Sequence, residues 1–272
     1  MRLADAHHLT DPIHLTDPMC PMCPTYPRNP VNLLLLSNST QYGCGYLEHA
    51  LDTVTAFLPA NARLAFVPYA LADHTAYTTR VREALEPSGV TVRGVHENPD
   101  PVAELAASDA VFIGGGNSFR LLAALYCTGL REAVRDAVRG GLPYMGASAG
   151  TNMAAPTLRT SNDMPIVQPP SFETLGLVPF QINPHYLDPD PASTHKGETR
   201  EERLAEFLEE NDVPVLGLRE GSWLRVDGKR AHVQGARPAR LFSRAAEPQE
   251  LRPGSEVSRL LTTVPRFDTP VR

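Results

Sequence analysis

Leu142-Pro143-Tyr144-Met145-Gly146-Ala147-Ser148-Ala149-Gly150 is the stretch that decides how this chain is read. A short apolar run enters a Gly-x-Ser-x-Gly pentapeptide, and small residues continue from Thr151 to Ala155. The run reads as a buried strand ending at Met145, after which the backbone turns sharply into a helix. Gly146 and Gly150 flank Ser148 because a strand-to-helix elbow leaves no room for a Cβ where its two arms touch. The serine is then held at the tip, beyond the sheet and over a helix N-terminus that favours developing negative charge. A small-residue turn that only packs a helix on a strand would carry the same pattern. The partners of Ser148 therefore decide its meaning.

Working outward, strands alternate with helices on both sides of the elbow. Order begins at Val31, where Val31-Asn32-Leu33-Leu34-Leu35-Leu36 is a run expected of a strand covered on both faces. A loop through Ser37 to Thr40 and a helix from about Tyr46 to Leu58 follow. Further strands are expected at 64–68, 90–95 and 110–113, with helices at about 75–85, 102–107 and 121–139. This rhythm predicts an α/β fold, a mainly parallel sheet with helices on both faces. Its working site should lie beyond the carboxyl ends of the strands. After the elbow come a loop over 156–170, a strand at 180–183, a helix at 199–209 and a buried strand at 215–218. Segments 223–226, 232–234 and 239–242 read as antiparallel strands near the C-terminus that finish the sheet. A polar tail without an assigned structure follows from about Glu247.

Residues 1–30 carry a repeated His-Leu-Thr-Asp-Pro and prolines at 21, 24, 27 and 30. They are expected to form a disordered, Pro-rich extension, leaving 31–272 as a single catalytic α/β domain with a polar tail. The 272-residue chain is 42% hydrophobic and 21% charged, enough to bury a large core. Its net charge of −6 and lack of a basic cluster argue against nucleic acid or an anionic membrane as partner. Neither a membrane-spanning run nor a signal-peptide pattern is present, so the expected location is cytoplasmic. Four cysteines make no disulfide framework. Cys20 and Cys23 have C-x-x-C spacing but lack a second such pair, so no metal or cofactor is assigned.

A serine hydroxyl needs a base within hydrogen-bond reach. Of nine histidines, His185 directly follows an apolar strand, and Pro184 stiffens its presentation. His7, His8 and His14 lie in the extension; His49, His74 and His96 fall in helices or loops away from expected strand ends. The base needs an acceptor on its other nitrogen. Glu220 emerges after the strand at 215–218, with Asp163 and Asp188 as loop rivals. Histidine precedes glutamate here, whereas an α/β-hydrolase runs serine, acid, histidine, so that fold is disfavoured. For an oxyanion, the Ala149 N–H offers one donor, and Gly114-Gly115-Gly116-Asn117 is the candidate source of a second. A phosphate-binding reading of those glycines lacks both Gly-x-Gly-x-x-Gly and a P-loop lysine.

Gly114 to Phe119, Ser148-Ala149-Gly150, Thr160 to Val167, Gln181 to Tyr186, His195 to Arg200 and Leu218 to Trp223 together resemble peptidase E, the α-aspartyl dipeptidase family. The resemblance runs from about Val31 to Phe242. It implies a class I glutamine amidotransferase-like fold with serine at the elbow. Its implied catalytic set is Ser148, His185 and Glu220, with Gly116 and Ala149 N–H groups as the oxyanion hole. The implied reaction is metal-independent hydrolysis of dipeptides bearing an N-terminal aspartate. Arg200 matches the family's substrate position, where a bidentate guanidinium suits a carboxylate. Asn117 is the candidate for an added substrate hydrogen bond. A homodimer stays open as the assembly. Rival readings are a cyanophycinase-like β-aspartyl peptidase, a non-catalytic binder of aspartyl peptides and, less favoured, a glutamine amidotransferase.

Overall fold

A computed structural model describes residues 31–270 apart from 193 and 195. The Pro-rich extension, with its histidines and Cys20 and Cys23, and His195 of the His195–Arg200 motif lie outside the described residues. Strand β1 (Val31–Leu36) is the centre from which the rest is laid out. It pairs in parallel with β5 (Tyr144–Ala147), and β5 in turn with β4 (Ala110–Ile113). Beyond β4 lie β2 (Arg63–Val67) and β3 (Thr91–Gly94), both parallel to it. Alternation along each strand sends its side chains to two cores. Leu33, Leu35, Ala65, Val67, Val111 and Ile113 enter one; Leu34, Leu36, Leu64, Phe66, Ala110 and Phe112 enter the other. Each fully buried leucine contributes roughly 1.5–3 kcal/mol, which is why an unbroken leucine run suits a two-sided strand.

Helices cover both faces. The second core is closed by α1 (Leu51–Phe57) and α2 (His74–Leu85) through Val54, Phe57, Tyr77, Val81 and Leu85. Leu105 of α3 (Pro101–Ala106) packs in the first core. There it meets α4 (Ser118–Cys127), α5 (Leu130–Arg139) and α6 (Ala149–Ala154). The helices expected through 121–139 are two, divided at Gly129 with φ +71°. Thr199 caps α7 (Arg200–Glu210) in a capping box with Glu202.

The C-terminal strands depart from expectation in one respect. Strands β8 (Ser222–Gly228) and β9 (Arg230–Gly235) do finish the main sheet, antiparallel beside β1. Segment 239–242, however, belongs to a second sheet, in the order β11, β10, β7, β6. That sheet comprises β6 (Gln181–Pro184), β7 (Val215–Leu218), β10 (Ala239–Phe242) and β11 (Gln249–Leu251). Part of the polar tail, Gln249–Leu251, is therefore a strand. Ile182, Leu216, Leu218 and Leu241 pack this sheet onto the first core, while Val215 and Phe242 meet Leu204 and Leu208 of α7 on its outer side. The main sheet ends at β9, and 239–242 pairs with β7 instead of adding to that edge.

Candidate active site

The elbow forms as its composition demands. Ser148 has φ +52° and ψ −109°, a left-handed conformation that costs a non-glycine residue about 1–3 kcal/mol. Neighbouring bonds hold it there. Ser148 N–H donates to Leu36 O at 3.1 Å, and the Thr151 hydroxyl lies 2.6 Å from the same carbonyl. A Cβ on Gly150 would stand 2.0 Å from Ile113 O, and one on Gly146 would stand 2.6 Å from Gly150 O. Helix α6 therefore reaches the sheet only because both positions lack side chains.

Histidine and acid arrive from the second sheet. His185 follows β6, also with a left-handed φ of +53°. Its Nε2 lies 2.9 Å from Ser148 Oγ, and its Nδ1 lies 2.7 Å from Glu220 Oε1. An ionised carboxylate only accepts, so Glu220 favours the proton on Nδ1 and leaves Nε2 free to accept from the serine. Glu220 occupies the turn between β7 and β8, closed by Ser222 N–H donating to Arg219 O at 3.0 Å.

Sequence reasoning passed over the residues that bind these pieces together. Ser37, just after β1, is fully buried. Its hydroxyl accepts from His185 N–H at 2.9 Å and donates to Leu218 O at 2.8 Å. Asn38 Oδ1 accepts from Gly221 N–H at 2.8 Å. One loop thus fixes the backbone beside both the imidazole and the carboxylate. The available signal was a Ser-Asn pair directly following a buried strand at the carboxyl edge of the sheet.

A cavity of about 420 Å³ opens over Ser148 and His185, lined also by Thr40, Tyr46, Tyr77, Arg80, Gly116 and Asp163. That volume is at the small-ligand end of binding sites. A cleft of about 610 Å³ between α7 and the segment after β10 is larger, yet no histidine lines it. Gly115 N–H donates to the Tyr77 hydroxyl at 2.8 Å, and the Tyr77 and Tyr46 hydroxyls are 3.2 Å apart. This pins the glycine turn, where Gly116 has φ +133°. The N–H groups of Gly116 and Ala149 have no hydrogen-bond partner among the described residues.

The remaining expected residues divide. Asn117 is committed to the protein: its Oδ1 caps α4 at Arg120 N–H, and its Nδ2 donates to Met164 O at 2.9 Å. Asp163 lines the cavity and accepts from Ser118 N–H at 2.7 Å. Asp188 is drawn away, held by Arg219 at 2.6 and 2.7 Å, and that contact keeps its carboxyl below the usual range. Of the three acids, only Glu220 bonds the imidazole. Arg200 has no ion-pair partner among the described residues; burial lowers its pKa and the charge of Asp163 partly restores it. His49 lies in a 3-10 turn, as expected of a histidine in a helix or loop; burial lowers its pKa and the charge of Glu220 opposes that shift.

The model of peptidase family S51 matches residues 33–234. The chain belongs to peptidase family S51. The enzyme class that the resemblance implies, a serine-type dipeptidase, holds for this S51 member. A Streptomyces coelicolor protein named peptidase E is 77% identical over 242 residues, 89% of this chain and 100% of the relative. A Drosophila melanogaster protein named "Probable alpha-aspartyl dipeptidase" is 52% identical, covering 85% of this chain and 97% of its own. The crystal structure of a peptidase from an acI-B1 actinobacterium matches with a TM-score of 0.62 at 15% identity. It covers 85% of this chain and 98% of that one, and bears on the fold alone. Among the described residues, no helix of this S51 chain is long and apolar enough to cross a membrane.

Proposed function

We propose that this S51 dipeptidase hydrolyses dipeptides with an N-terminal aspartate, Asp-X, through an acyl-enzyme on Ser148. The observation that carries the reading is the unbroken array of hydroxyl, imidazole and carboxylate at 2.9 and 2.7 Å. Ser148 Oγ attacks the scissile carbonyl carbon while His185 Nε2 takes the hydroxyl proton. Glu220 holds the ring's orientation and stabilises the imidazolium as it forms. The carbonyl oxygen, now anionic, is received by the otherwise unpaired N–H groups of Gly116 and Ala149. His185 gives its proton to the departing amine, and the C–N bond breaks. Water then attacks the aspartyl ester with His185 again as base, and aspartate leaves.

Arg200 supports the choice of aspartate. A half-buried guanidinium without an ion-pair partner is stabilised by a substrate carboxylate, and its fork favours two parallel hydrogen bonds. Asn117 acts in this reading by shaping the glycine turn and the Met164 loop, since its amide already bonds both α4 and that loop. Residues 31–272 form the catalytic unit, acting in the cytoplasm on a small peptide.

The test is hydrolysis of Asp-Leu beside Leu-Asp and an isoaspartyl dipeptide, by the wild type and by Ser148→Ala. Asp-Leu alone should be cleaved, and Ser148→Ala should lower its turnover by about 10⁴-fold or more with an unchanged circular dichroism spectrum. Preference for the isoaspartyl substrate would favour the β-aspartyl rival. Full activity of the Ser148 variant would remove the nucleophile, and binding of Asp-Leu without turnover would favour the non-catalytic binder.

A further inference from the structure

The cavity at Ser148 holds a cation with no role so far. Arg80, on α2, lines it together with Tyr46, Tyr77, Gly116 and His185. Burial raises the phenols of Tyr46 and Tyr77, and the charge of Arg80 partly offsets the rise, so the guanidinium lies close to that tyrosine wall. The Tyr77 hydroxyl accepts from Gly115 N–H, so the tyrosine wall beside Arg80 is joined to the turn that presents Gly116. Among the described residues Arg80 makes no hydrogen bond and no ion pair. Arg82 on the same helix is bound to Glu97 at 2.6 Å, so α2 does not lack acids to offer its arginines. Asp163, the one carboxylate lining the cavity, faces elsewhere: its Oδ2 accepts from Ser118, and the cation it influences is Arg200.

Arg80 on the tyrosine side is thus a cation of the cavity wall with no ion-pair partner, and Arg200 lies near enough to Asp163 for their charges to interact. An Asp-X dipeptide presents two carboxylates, its side chain and its free C-terminus, on either side of the scissile carbonyl. Neighbouring Cα atoms are about 3.8 Å apart, so the C-terminal carboxylate lies within roughly 5 Å of the carbon under attack. That is within the sweep of a long arginine on the wall of a small cavity.

The geometry points to Arg80 as the subsite for the free C-terminal carboxylate of the leaving residue, the contact that restricts this site to dipeptides. The inference rests on the Asp-X reading and adds the residue that measures substrate length. A longer peptide puts a neutral amide where the carboxylate belongs and forgoes the charge-assisted contact, while the exposed Arg80 stays hydrated.

The test compares Asp-Leu, Asp-Leu-amide and Asp-p-nitroanilide, the last two lacking the carboxylate, in wild type and Arg80→Gln. Wild type should prefer Asp-Leu to its amide by about 10- to 100-fold in kcat/KM. Arg80→Gln should lose that factor on Asp-Leu while changing the other two by less than about twofold. Arg80→Lys should recover part of the loss. Equal losses on all three substrates, or none on Asp-Leu, would overturn the assignment while leaving the Asp-X reading intact. If wild type cleaves none of the three, the Asp-X reading fails and the subsite falls with it.

Discussion

The two halves of the site are built by opposite means. On the first sheet, Ser148 is held by its immediate neighbours, because glycine at 146 and 150 lets α6 press onto β5 and β4. On the second sheet, His185 and Glu220 have no such local motif. They are brought to the serine by Ser37 and Asn38, 148 to 183 positions earlier in the chain. A nucleophile can be built from steric exclusion within a few residues, whereas its base and acid need hydrogen bonds between distant segments. The first half should fail by unfolding and the second by losing alignment.

Gly150→Ala should have the largest effect. In an ordinary helix alanine stabilises relative to glycine by about 1 kcal/mol. Here the new methyl would collide with the Ile113 carbonyl, so the expected change is a loss of about 4 kcal/mol or more. A urea melt reads it directly, and a neutral or stabilising result would refute the steric account of the elbow. Ser37→Ala comes next, leaving His185 N–H and Leu218 C=O without their bonds. It should cost about 1–3 kcal/mol in the same melt and lower kcat by roughly tenfold or more as the imidazole loses its register. A stability loss without any kcat change would show that the loop supports the fold but does not align the site.

Asp188→Asn should have the smallest effect, a modest loss of stability at neutral pH that vanishes in acid. The folded pKa of Asp188 is depressed by its hydrogen bonds to Arg219. Its contribution is therefore present above the ordinary carboxylate pKa and is lost as pH falls through the lowered folded value. Melting temperature against pH should show a shallower acid limb in the variant, with activity on Asp-Leu nearly unchanged. A large loss of activity would bring Asp188 back as a catalytic acid.

Most of the fold could be read from the chain because its strands are continuous apolar runs and its helices are amphipathic. Val31–Leu36 and Ala110–Ile113 announce themselves this way, as do Ser148, His185 and Glu220 at the ends of such runs. Gln249–Leu251 did not, since an edge strand of three residues with two exposed side chains has no apolar pattern. Arg80 could not be recognised either, because an exposed arginine on an amphipathic helix looks the same whether it faces bulk water or a cavity.

By itself, the sequence determined the elements, the elbow and the chemical types available at each strand end. These depend on periodicity and small-residue sterics, which act over a few positions. The tertiary structure alone decided that 239–242 joins a second sheet, that Asp188 goes to Arg219 and leaves the imidazole to Glu220, and that Ser37 holds the histidine backbone. Those outcomes turn on which edges and hydrogen-bonding groups are still unpaired once the β1-centred sheet has formed, a competition among segments far apart in the chain.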